Sequence, residues 1–174
     1  MTTATLPDLD DVRAAVGGVP DPELPPVTLA MLGMVHDVRV DGHHVHVELL
    51  PTWSGCPATD VIGEDVRTAV AAVDGVTEVT VRFRFDPVWT PARITSEGHD
   101  ALRSFGIAPP VSIPPSTTSL PVLPTTGPGP VDASRPCPYC GSTDTVRDGM
   151  FGPTPCRDVR YCNACAQPFE AFKS

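Results

Sequence analysis

Positive charge is scarce in this chain: 12 lysines and arginines stand against 21 aspartates and glutamates in 174 residues, a formal net charge of −9. Nucleic-acid binding needs a basic face to neutralise phosphates, so no nucleic-acid partner is expected. Long apolar runs are also missing. No stretch approaches the roughly 18 consecutive apolar residues of a membrane span. Nothing ahead of Leu6-Pro7-Asp8 has the charged start and apolar core of a secretory signal. The chain is therefore expected in a reducing cytoplasm, away from membranes, where thiols persist as metal ligands or reactive groups rather than as disulfides.

Cysteine and proline are what the chain does have: 6 of the first and 22 of the second. Two cysteine pairs near the C-terminus, Cys137-Pro-Tyr-Cys140 and Cys162-Asn-Ala-Cys165, each place two residues between their sulfurs. Both sulfurs of one tight turn can then meet one ion, and two such turns complete a tetrahedral site. The 21 residues between the pairs slightly exceed the usual spacing of about 15 to 20, which a longer hairpin loop absorbs. A zinc ribbon is the reading, with iron as the alternative because four thiolates suit both metals. Cys156 lies inside the ribbon. It could substitute for a paired cysteine, stay a redox-sensitive spare thiol, or pack as a small apolar residue.

The prolines cluster. From Pro109 to Pro136 they alternate with Ser, Thr and Gly, as in Pro114-Pro115-Ser-Thr-Thr-Ser, with no apolar period to build a core. The pattern predicts an N-terminal domain over residues 1–108, a proline-rich linker over 109–135 and a metal-dependent module over 136–174. Charge divides unevenly between them. Residues 1–108 carry 16 acidic and 7 basic groups, whereas 136–174 carry only Arg147, Arg157, Arg160 and Lys173 against 4 carboxylates.

Within the first domain, Leu9, Val12, Arg13 and Val16 suit a short helix closed by Gly17-Gly18. Pro20-Asp21-Pro22-Glu23-Leu24-Pro25-Pro26 predicts a rigid, turn-rich loop, with Asp21 and Glu23 as turn formers or as acceptors at a site. Residues 34–50 predict a hairpin turning at Asp41-Gly42. In its second strand Val45, Val47 and Leu49 share one face, and His44, His46 and Glu48 share the other, read as a solvated face rather than a metal site. Then comes Ser54-Gly55-Cys56-Pro57 ahead of a helical run from Val61 to Val73. Proline favours the first helical position, which would put Cys56 at or beside the N-cap. Free amides there favour a thiolate, so Cys56 reads as a nucleophile or metal ligand, with a merely packed cysteine as the alternative. A third strand over Val79–Phe85 and a helix over Glu97–Phe105 complete the order α, β, β, α, β, α. An α+β domain follows, a small mixed sheet packed by helices.

Several of these segments carry a family resemblance. DPELP at 21–25, Leu32-Gly33-Met34-Val35 and Ser54-Gly55-Cys56-Pro57-Ala58 resemble the MIP18 (DUF59) family of iron–sulfur assembly factors. Pro87-Val-Trp-Thr, Gly106-Ile-Ala-Pro-Pro110, CPYCGS at 137–142 and Phe151 through Lys173 are similar to the D-subunit family associated with bacterial phenylacetyl-CoA epoxidases. The resemblance implies a non-catalytic accessory protein of that monooxygenase system in aerobic phenylacetate degradation. It would assist assembly or maintenance of an iron–sulfur cluster in the reductase component, with the oxygenase and reductase as partners. It also implies Cys56 as the transfer thiolate, Asp21 and Glu23 as a supporting loop, and Cys137, Cys140, Cys162 and Cys165 as structural zinc ligands. A transient cluster on one cysteine per chain would need a homodimer or a client to supply further ligands. The rivals are a docking subunit without cluster transfer, a thiol enzyme, and a rubredoxin-like iron ribbon. The wider family's acid before Leu-Gly is Met31 here, and Ala166 follows the second cysteine pair where many ribbons have Gly.

Overall fold

A computed structural model describes residues 5–110 and 135–173. The chain forms two compact units, Met1–Phe105 and Gly106–Ser174.

The first unit opens with α1 (Leu9–Gly17), whose N-cap Asp8 accepts the backbone N–H groups of Asp10 and Asp11, at 2.8 and 3.2 Å from the same carboxylate oxygen. Val12 and Val16, one helical turn apart, are buried. The proline-rich stretch that follows is not only a loop. It forms a small antiparallel hairpin, β1 (Pro20–Asp21) and β2 (Leu24–Thr28), in a two-stranded sheet of its own. Two short edge strands tolerate missing N–H donors, which a central strand would not.

The main sheet is β3 (Val35–Asp41), β4 (His44–Leu49) and β5 (Glu78–Phe83), in that order. β3 and β4 run antiparallel around a turn at Gly42-His43, one residue later than predicted. β4 and β5 run parallel, joined by α2 (Thr59–Ala71). The sheet is thus mixed, and α2 packs on β5 and α1 on β3. Val38, Val45, Val47 and Leu49 are buried on the inner face, each worth about 1.5–3 kcal/mol. The outer face is half-buried rather than fully solvated: the His44 and His46 rings stack at 4.0 Å, and His44 Nε2 lies 2.8 Å from Thr80 Oγ1. α3 (Ser96–Ser104) closes the unit, its N-cap Thr95 accepting the Gly98 N–H.

Trp89 is 7% exposed, and its indole N–H donates to the Leu32 carbonyl at 2.8 Å. Trp89→Phe keeps most of the apolar volume but takes away that donor. The expected loss is about 1–3 kcal/mol, read as a fall of several degrees in the thermal midpoint of the first unit.

The second unit is a four-stranded sheet ordered β6 (Ile107–Ala108), β9 (Gln167–Phe172), β8 (Arg157–Cys162), β7 (Thr145–Gly149). β7–β8 and β8–β9 are antiparallel, while β6 joins parallel to β9. Residues 107 and 108, assigned from sequence to the first domain, are therefore a strand of the second. They are 2% and 0% exposed and pair with Glu170 and Ala171. Most of the linker predicted over 109–135 lies outside the described residues. At its far end the Arg135 carbonyl accepts the Thr145 hydroxyl at 2.9 Å.

Candidate functional site

Each cysteine pair sits in a tight turn built by the same device. The N–H of Gly141 donates to the Cys137 carbonyl at 2.9 Å, and the N–H of Ala166 donates to the Cys162 carbonyl at 2.9 Å. Both closing residues are left-handed, Gly141 at φ 75° and Ala166 at φ 57°. Glycine adopts that conformation freely. Alanine does so at about 1–2 kcal/mol. Replacing Ala166 with Gly is expected to stabilise the ribbon by up to about 1 kcal/mol, once the added freedom of the unfolded chain is subtracted. Slower metal release to a chromogenic chelator would show it.

The two turns bring four sulfurs together. Cys137 Sγ lies 3.7 Å from Cys165 Sγ, Cys140 Sγ lies 3.6 Å from Cys162 Sγ, and all four fall within 4.8 Å of one another. A tetrahedral ion with bonds of about 2.3 Å places its sulfurs about 3.8 Å apart. A disulfide needs about 2 Å. The donor set thus fits a thiophilic metal, and none of the six cysteines is in a disulfide. The protons on this cluster are unevenly held. The Cys165 backbone N–H helps draw Cys162 down to about 7, whereas burial pushes Cys165 up to about 12. Four thiolates cannot coexist in this space without a cation.

Cys156 stands apart from that cluster, its sulfur 3.1 Å from the Thr154 hydroxyl and its carbonyl accepting the Lys173 N–H. The histidines of β4 join no metal-binding group either, the four cysteines being the one such group among the described residues. The basic residues of the ribbon are engaged internally. Arg160, 1% exposed, donates to both carboxylate oxygens of Asp158. Arg147 reaches Asp158 as well, Arg157 pairs with Glu170 at 2.7 Å, and Lys173 donates to the Pro155 carbonyl.

In the first unit Cys56 is half-buried on the loop between β4 and α2. The helix begins later than Pro57 suggests. Its N-cap is Ala58 and its first residue Thr59, because residues 57–58 form a turn over which the Thr59 hydroxyl donates to the Cys56 carbonyl at 3.2 Å. Cys56 thus lies two residues before the cap, and Ala58 has no side chain to satisfy the first amides. The Cys56 N–H donates to the Trp53 carbonyl at 3.1 Å, and the Trp53 ring lies beside Gly55. β4 and β5 end side by side here, with Leu49 opposite Phe83. Asp21 accepts the Glu23 N–H at 2.8 Å, which holds the turn of the β1–β2 hairpin.

Known proteins resemble both units. A model of iron–sulfur cluster assembly proteins matches residues 9–81, and a model of the PaaD zinc beta ribbon domain matches residues 124–173. An Escherichia coli K12 protein, provisionally named as the D-type component of 1,2-phenylacetyl-CoA epoxidase, is 32% identical over 99% of this chain and 97% of its own length. The chain belongs to the PaaD family. An Fe–S protein maturation auxiliary factor of Porphyromonas gingivalis is 36% identical over 56% of this chain and 92% of its own. The crystal structure of a DUF59 domain from Bacillus anthracis superposes with a TM-score of 0.50 at 28% identity, over 54% of this chain and 90% of that one. This PaaD-family chain thus joins an α+β domain of the DUF59 type to a four-cysteine metal-binding ribbon.

Proposed function

We propose that the protein is a non-catalytic accessory factor of a phenylacetyl-CoA epoxidase system in the cytoplasm, assisting assembly or maintenance of the iron–sulfur cluster in the reductase component. The observation that carries this reading is a double similarity: to an epoxidase component over the whole chain, and to iron–sulfur assembly proteins over residues 9–81. Cys56 is the transfer thiolate in this reading. Its place two residues before a helix start whose cap residue, Ala58, offers no side-chain acceptor supports this reading, because the positive end of a helix favours a thiolate.

The cluster is cargo, not a resident group. Transfer is ligand exchange: a client thiolate binds iron as the Cys56–iron bond breaks, with no change of oxidation state. One cysteine per domain holds a cluster weakly, which suits release, and a second copy or the client supplies the other ligands. The β1–β2 turn, held by Asp21 with Glu23 beside it, is the supporting loop. Cys137, Cys140, Cys162 and Cys165 would hold zinc, which supplies a structural cross-link between the two turns and no chemistry of transfer.

A second reading, a docking subunit of the oxygenase complex, is favoured by one feature of the ribbon. Val146, Tyr161 and Pro168 pair across three strands and are all exposed, with Met150 and Phe151 each 66% exposed as well. An anaerobic assay separates the two. Protein reconstituted with iron and sulfide is mixed with cluster-free reductase, and appearance of the reductase spectrum faster than with iron and sulfide alone supports transfer. Equal rates leave the docking reading.

A further inference from the structure

The first cysteine turn reaches beyond its own sulfurs. Between Cys137 and Cys140 it carries Tyr139, whose hydroxyl lies 2.8 Å from where a Cβ on Gly106 would stand. Gly106 has φ 83°, a left-handed backbone that favours glycine, and the hydroxyl and ring edge of Tyr139 lie against it. Two residues on, Ala108 is fully buried in a cluster with Cys137, Cys162, Phe169 and Ala171, against which Cys165 packs. The start of the second unit is thus packed against the metal-binding turns themselves.

The strand that benefits is very short. β6 has two residues and two paired positions, Ile107 with Glu170 and Ala108 with Ala171. A ladder of that length does not hold a segment by hydrogen bonding alone. What secures it is burial, and around Ala108 the burying surface joins Cys137, Cys162 and Cys165 of the two turns to Phe169 and Ala171 of β9. A cation bound by these four sulfurs, all within 4.8 Å, cross-links the two turns, and its removal leaves protonated thiols without that cross-link.

We propose that the ribbon's metal acts as a latch on the segment Gly106–Ala108, the point where the chain enters the second unit. With a thiophilic dication bound, β6 is docked on β9 and the chain passes from Phe105 directly into a folded sheet. Without it, the segment is released and Phe105 is followed by free chain. This rests on the four cysteines being a metal site and not on the role of Cys56.

Hydrogen exchange followed by mass spectrometry on the full-length protein tests the latch, comparing zinc-loaded protein with the same protein stripped anaerobically under reductant. Zinc content is measured in each sample. The expected result is exchange about tenfold or more faster in the peptide covering residues 106–110 after stripping, with β4 unchanged. Because stripping also loosens the rest of the ribbon, Tyr139→Ala serves as the second variant, since it keeps all four sulfurs. It is expected to bind zinc at the wild-type ratio and leave β8 protected, yet to speed exchange at 106–110. Wild-type protection of that peptide in either stripped protein or Tyr139→Ala overturns the latch. Failure to take up zinc at all overturns the metal site on which it rests.

Discussion

Cys56→Ser is expected to reduce the cluster content of a co-produced reductase to that of cells lacking this protein altogether. Serine preserves size and hydrogen bonding, but its hydroxyl is not a thiolate and does not hold iron as one. The loop around Cys56 is secured by the Cys56 N–H to Trp53 and the Thr59 hydroxyl to the Cys56 carbonyl, neither of which uses the sulfur. The fold is therefore expected to remain stable to within about 1 kcal/mol, and a loss of transfer is attributable to the thiol. In the anaerobic assay the rate should fall by about tenfold or more, toward that of free iron and sulfide. A reductase with its full cluster beside the mutant would remove Cys56 from the mechanism and leave the docking reading standing.

Removing the metal is expected to unfold the ribbon and spare the first unit. Structural zinc contributes on the order of 10–16 kcal/mol to domains of this kind, far more than an apolar cluster of Ala108, Cys137, Cys162, Phe169 and Ala171 supplies. Cys162→Ala should do the same without chelator. The two-unit protein would then melt in one transition instead of two. Acid should weaken the site in a definite direction. A metal binds deprotonated sulfur, and Cys165, held up at about 12, must lose its proton when the ion enters. Protons compete for Cys162 as well once the pH falls through about 7, so the decline in retention is expected to steepen below that point. A chelated protein that still shows both transitions would contradict the assignment.

Much of this architecture is legible in local pattern. Alternation in His44–Leu49 picks out its buried face, because a strand buried on one side repeats every two residues, while the expected solvated face is half-buried. The paired cysteines likewise announce the ribbon by spacing alone. What escapes are features that depend on distant partners. The prolines of residues 20–26 argue for a turn-rich loop and against a helix or central strand, yet two edge strands form there because the edge of a sheet demands few donors. Nothing local marks Ile107 and Ala108 as a strand, since their partners are Glu170 and Ala171. The buried ion pair was within reach. Once Cys162 is placed inward as a ligand, period two sends Arg160 and Asp158 to the same side, and a charge facing inward requires a partner. The position of Cys56 two residues before the cap was not legible. Pro57 suits the first helical position, and only the turn at 57–58 delays the helix.

The parallel pairing of β6 with β9 also sets an order of events during synthesis. Strand partners about sixty residues apart in sequence close a long loop, which makes their contact slow and late. A ribosome adds those residues in roughly 3–12 s at about 5–20 residues per second. The first unit ends at Phe105 and can fold in that interval. Ile107 and Ala108, among the most deeply buried residues of the finished protein, stay uncovered until the second cysteine pair has emerged.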